Sequence, residues 1–459
     1  MERWEASNNN QTFTFYLRKN AKWSNGDPVT AHDFVYAWRR LVSPQTASPY
    51  ASYLSFMKME NVKEIIEGKK SPDTLGVKAL DDYTLQLTLT APVPYAVEIT
   101  EHSSLLPVHQ ATIEKYGDQW TKPENFVGNG AYRLHSRVLN EKITLERNPT
   151  YWNNANTVID QATILILTES AGIARYRAGE LDISFIPSSA YHNKTFRAEY
   201  DSQIISSPKL GTFTYEMNLS KPPFDDIRVR KALDLSIDRQ IITEKILGFG
   251  QLPTYRFTPP YVGAGDKIKQ PEYANWTQQQ RNEEAKKLLQ QAGYSKDNPL
   301  KAELLYNTNE GLKNIAIAVT SMWKKNLDNM ANIHLKNIEW KTFIDTKQAR
   351  NYQLAFNAWL ADYNEASTFL TYYLSDNEQN KIGFKSEKFD QLMKSSYLAK
   401  TKEERADIYA QAEDELGKHH PFVAIYHYAG LIIKNPKLKG YEGKNPVGMY
   451  LISDLYLEK

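Results

Sequence analysis

The segments QQQRNEEAKKLLQQAGY (278–294), LKAELLYNT (300–308) and IAIAVTSMWKKNL (315–327) lie close together and differ in their apolar period. In the first, Ala285, Leu288, Leu289 and Ala292 fall on one helical face, and Gly293 supplies a C-terminal stop. The second reads as a strand and the third as a helix. Upstream, PPFDDIRVRKALDLSIDRQIITEKIL (222–247) reads as two helical segments, with Asp225, Asp226 and Asp238 near their starts as the helix dipole favours. Downstream, FNAWLADYNE (356–365) looks like a buried strand running into a loop, with a carboxylate, Asp362, among aromatic and aliphatic neighbours. This alternation points to an α/β lobe across roughly 211–430.

The first half is also mixed α/β. TFTFYL (12–17) alternates as a strand does, and KWSNGDPVTAHDFVYAWRRL (22–41) passes through an Asn-Gly turn into a helix capped by Thr30, with Asp33 at its third position. YTLQLTL (83–89) alternates again and is ended by APVPY. FVGNGAYRL (126–134) and KITLERNPTYWN (142–153) read as strands with a glycine turn and an Asn-Pro stop. RYRAGELDISFI (175–186) reads as a short helix that ends near Gly179 and hands over to a strand.

With 459 residues, 41% of them hydrophobic, the chain can bury a large core and should hold two or three lobes. Lys and Arg number 56 against 54 Asp and Glu, interspersed throughout, so nothing calls for a nucleic-acid partner. Cysteine is absent, which removes disulfides, thiolate nucleophiles and Cys-based metal sites. The most apolar stretches, such as PFVAIYHYAGLII (421–433), are too short and too broken for a membrane span. MERWEASNNNQTFTF has no signal-peptide pattern, so the expectation is a cytosolic protein or one whose true N-terminus precedes this start.

Signatures of catalysis and of cofactors are missing: no dinucleotide or phosphate loop, no nucleophile elbow and no zinc helix. No cofactor, metal or enzymatic activity is expected. His419, His420 and His427 diverge on a regular element and read as ordinary structural histidines. Glu413, Asp414 and Glu415 read as a solvated helix face. The 29 tyrosines and 9 tryptophans suit a core, and also a wide cleft with amphipathic walls.

Several of these stretches, together with PVPYAV, NGAYRL, ERNPTYWNNANTVID, KPPFDDIRVRKAL, LLYNTNE, EWKTFIDT and ADYNEASTF, resemble the periplasmic oligopeptide-binding proteins of bacterial ABC importers, within the extracellular solute-binding protein family 5. The resemblance runs in order from about residue 12 to the C-terminus. It implies a two-lobed periplasmic binding protein of type II, closing on its ligand about a hinge, with an additional smaller domain. Carried onto this chain, the smaller domain covers 1–109, the first lobe 110–210 with 430–459, and the second lobe 211–429, with the hinge near Leu210 and Ala429. It further implies a monomeric periplasmic receptor that binds an extended peptide through backbone hydrogen bonds and hands it to ABC transporter permease subunits in the inner membrane.

By the same resemblance Asp362 is the anchor for the peptide ammonium, and Glu216, Asn307, Trp340 and Trp359 line the cleft. Two departures stand out. The positions where the family places basic residues for the peptide carboxylate are Leu247, Leu312 and Phe356 here, all apolar. Lys347, with Arg350, is the nearest replacement for the lost charge, unless both are solvated loop residues. The start also follows the family's signal peptide and first strands, which implies a truncated reading frame. The alternatives that these departures raise are a receptor for a cell-wall (murein) peptide or a non-peptide solute, and a truncated paralogue acting as an interaction protein.

Overall fold

Phe13 and Phe15, alternating with polar residues, put one face of β2 (Thr12–Tyr16) in a core, while β1 (Arg3–Ser7) beside it is exposed along its length. With β3 (Val77–Asp81) and β4 (Thr84–Thr88) they form an antiparallel sheet in the order β1-β2-β4-β3, and Leu85, Leu87 and Leu89 are buried as the alternation predicts. The helix Ala31–Val42 opens with Asp33 accepting from the Thr30 backbone N–H at 2.8 Å. A second sheet joins β5 (Tyr132–Val138), β6 (Lys142–Arg147) and β7 (Gln161–Leu165). The helix Glu169–Arg177 then stops before Gly179, which has φ +76°, and β8 (Ile183–Phe185) follows.

This is a computed structural model, and it describes residues 1–377, 379–445 and 450–458. The chain divides into two units: one contains Met1–Phe185, Ile433–Lys444 and residues 450–458, the other Ile186–Ile432.

The second unit is built on β9 (Ile204–Met217), β10 (Leu252–Pro253), β11 (Leu300–Asn307), β12 (Ala331–Ile338), β13 (Leu354–Leu360) and β14 (Phe422–Lys434), in the sheet order β10-β14-β9-β13-β11-β12. β11 runs parallel to both β12 and β13, and the helices Glu310–Asn326 and Trp340–Gln348 supply the crossovers. Upstream, the predicted pair of helical segments is Ile227–Leu235, capped by Asp226, and a π-helical turn over Ile241–Leu247. Helix Gln278–Gln291 buries Ala285 and Leu289, and Gly293 follows at φ +91°.

β9 and β13 pair antiparallel from Met217 opposite Leu354 to Gly211 opposite Leu360. Along β9, Phe213, Tyr215 and Met217 enter the main apolar core, whereas Thr212, Thr214 and Glu216 on the other face are buried polar groups. A second apolar cluster gathers Phe257, Phe369, Tyr373, Phe389, Tyr409 and Phe422.

The expectation of a solvated acidic face at 413–415 is corrected here. Glu413 lies inside, at 1% exposure, because the segment after Arg256 crosses the helix Lys402–Lys418 and brings donors that need an acceptor. Glu413 Oε1 accepts from the Phe257 N–H at 2.6 Å, and Oε2 accepts from the Thr258 hydroxyl at 2.7 Å. Glu415 is also nearly buried; Asp414 alone is on the surface and pairs with Arg256. Replacing Glu413 by Ala strands two buried donors and should lower the unfolding free energy by about 2–3 kcal/mol in urea titrations, with Glu413→Gln costing less. A loss below about 1 kcal/mol would mean that those donors find other acceptors.

Candidate functional site

Because β11, β12 and β13 are parallel, their carboxyl ends share one edge, the place where open α/β sheets hold ligands. The sequence brings several expected residues to it. Asn307 ends β11, Trp340 opens the helix that follows β12, Trp359 lies at the end of β13, and Asp362 comes just past it. Trp340 is 55% exposed and stacked on Phe343 at 5.9 Å between ring centroids. Asn307 is half-buried, and its Oδ1 is a buried acceptor without a donor.

The loop after β13 is held from several sides. Thr368 Oγ1 accepts from the Asp362 N–H at 3.1 Å, and its carbonyl accepts from the Trp359 indole N–H at 2.8 Å. The Trp359 ring packs 4.8 Å from that of Tyr372. Farther along, the Gly263 N–H donates to Asn364 Oδ1 at 2.9 Å and the Ala366 N–H to the Gly263 carbonyl at 2.7 Å. A side chain at Gly263 would collide with the Asn364 carbonyl, so only glycine permits this approach. Glu365 and Arg405 close the loop with a buried ion pair at 2.9 Å. Within this frame Asp362 is half-buried, and desolvation pushes its carboxyl up to about 6.

Glu216 stands opposite Ala355, roughly 17 Å down the strand from Leu360. It is fully buried, a layer deeper than a wall residue, with Lys347 Nζ 2.9 Å from its Oε2. Lys347 therefore turns inward, its side chain only 12% exposed. It also donates to Asn357 Oδ1 at 2.9 Å and to the Phe356 carbonyl at 3.4 Å. Tyr352, Tyr372 and Tyr373 surround the pair; burial first, and the Glu216 charge second, raise their phenol pKa values. Arg350 points elsewhere, donating to Ser220 Oγ at 3.2 Å.

The three apolar positions share one core. Leu247 and Phe356 are buried in it and Leu312 packs against it, with the Phe356 ring 5.0 Å from Phe213 and 6.2 Å from Phe343. β13 meets β11 only at Leu354 and Ala355, so the edge of 356–360 facing away from β9 has no ladder partner in β11. Sequence reasoning missed Asn357, Thr368, Tyr372 and Gly263. Of these, only Asn357 had a signal, since the alternation of FNAWL puts it on the face of Trp359.

The histidines go to separate partners: His419 to Glu415, His420 to Asp234 and His427 to Thr212. Among the described residues no group of side chains could hold a metal ion, and no helix is long and apolar enough to cross a membrane.

The family model for bacterial extracellular solute-binding proteins, family 5 middle region, matches residues 1–381. The periplasmic oligopeptide-binding protein OppA of Haemophilus influenzae is 50% identical over 459 residues, which are 100% of this chain and 85% of the relative. A crystal structure of H. influenzae OppA in complex with RPPGFSPFR superposes with a TM-score of 0.86 at 51% identity, covering 100% of this chain and 90% of that one. The murein tripeptide-binding protein MppA of Escherichia coli gives 0.87 at 41% identity, covering 100% and 89%. The chain belongs to family 5 of the bacterial extracellular solute-binding proteins, with the mixed α/β, two-lobed fold of that family.

Proposed function

We propose that this chain is a solute-binding receptor that captures oligopeptides and delivers them to ABC transporter permease subunits for import. The observation that carries the reading is a half-buried, desolvated carboxylate, Asp362, at the carboxyl edge of parallel strands and beside an open strand edge. A peptide ammonium placed against Asp362 gains a partner in a water-poor site, and the peptide backbone can add to the free edge of β13 while side chains remain unread. The orphaned Asn307 Oδ1 offers an acceptor for a peptide N–H, and the Trp340 and Trp359 indoles offer amphipathic walls. The relative solved with a bound peptide supports the same reading.

In this reading the protein works as a periplasmic monomer whose smaller domain ends near residue 109. The first lobe then spans 110–210 and the C-terminal segment from 430, and the second lobe spans 211–429. Ligand binding shifts the receptor's conformational population toward the form that binds it better. A second reading, a receptor for a murein peptide or an apolar solute, is favoured by the apolar trio Leu247, Leu312 and Phe356 and by the likeness to MppA.

Asp362→Asn should weaken peptides with a free amino terminus by about a hundredfold or more in calorimetric titrations and leave their acetylated counterparts unchanged. Equal losses for both would remove the anchor role. In the unliganded protein the substitution should stabilise. A carboxyl raised from 3.8 to about 6 takes up a proton on folding, so wild type loses stability as pH rises through that window. The Asn variant does not; melts between pH 4 and 8 should show its advantage growing to about 2 kcal/mol near pH 6 and level above it.

A further inference from the structure

Lys347 Nζ donates to Asn357 Oδ1 and to the Phe356 carbonyl, and it stands 2.9 Å from Glu216 Oε2 as an ion pair. Its charge is neutralised by a carboxylate that is itself fully buried. The Phe356 ring packs against Phe343 of the helix that carries Lys347, and among the described residues Lys347 alone pairs with Glu216. An extended chain starting at Asp362 and following the free edge of β13 reaches the Phe356 carbonyl, and with it Lys347, after roughly 20 Å, or about six residues. A ligand carboxylate arriving there would find the ammonium committed and the Glu216 charge behind it, so its desolvation would go uncompensated.

We propose that Glu216 is a specificity-determining residue: by holding Lys347 it denies the site a cation for a ligand carboxylate, and so admits chains whose far end is blocked or runs on. This rests on the peptide-receptor reading above. The charge pattern follows from it. Remove the Glu216 charge while keeping its shape, and Lys347 becomes a buried, uncompensated cation that a ligand carboxylate can neutralise. The same site then changes from indifferent or averse to a free carboxylate to selective for one.

The test compares Glu216→Gln with the double variant Glu216→Gln/Lys347→Met, which removes both charges and relieves the buried cation. Each is titrated with matched peptide acids and amides of about three to eight residues, all with free amino termini. Wild type should bind amides at least as well as acids at every length. Glu216→Gln should favour the acid by about tenfold or more at a length near six residues, and its lowered melting temperature should recover on adding the acid but not the amide. The double variant should regain stability and lose the preference. An unchanged acid-to-amide ratio in a folded Glu216→Gln that still binds peptides would overturn the proposal alone. Failure of wild type to bind any peptide would overturn the receptor reading with it.

Discussion

The antiparallel pairing of β9 with β13 is the constraint from which the candidate site follows. Its register decides which residues share a face. Because the side-chain period is two, a slip by one residue would move Thr212, Thr214 and Glu216 into the apolar core and push Phe213 and Tyr215 out of it. The same register sets Ala355 opposite Glu216 and so brings Asn357 and Lys347 to the buried carboxylate. At the other end it delivers the chain to the loop that carries Asp362. One strand pair thus positions a neutralised charge at one end and leads to a desolvated acid just past the other.

The two ends use burial in opposite ways. At the deep end, charge is tolerated because Lys347 and Glu216 answer each other and the surrounding phenols hem them in. Past the other end, desolvation of the Asp362 carboxyl raises its affinity for a proton. Asn307, at the end of β11, keeps a buried acceptor that nothing in the described residues satisfies. An unsatisfied buried acceptor of this kind is tolerated where a ligand can complete it.

Much of the fold could be read from the sequence. Period and punctuation placed the helices ending at Gly179 and Gly293, the strands β2, β4, β11 and β13, and the Thr30 helix start, because each is specified within a few neighbouring residues. Asp362 could be singled out because an acid among aromatic residues at a strand end has few ordinary uses. Glu413 could not be read correctly: its neighbours Asp414 and Glu415 look like a wet face, and its donors come from Phe257 and Thr258, far away in the chain. Lys347 was open for the same reason. A lysine in TFIDTKQAR gives no sign of direction until β9 supplies Glu216. Local order was legible; pairings between distant segments were not.

Gly263 shows how far the site reaches into residues that no ligand would touch. Its backbone is bonded to both Asn364 and Ala366, and there is no space for a Cβ against the Asn364 carbonyl. The position of the acid is therefore held jointly by two stretches about a hundred residues apart. Natural variation at 263 would be screened as strictly as variation at a contact residue, although nothing about a lone glycine in a surface loop would advertise it. A lineage that drifted at this position would shift the loop that carries Asp362 without changing any residue of that loop.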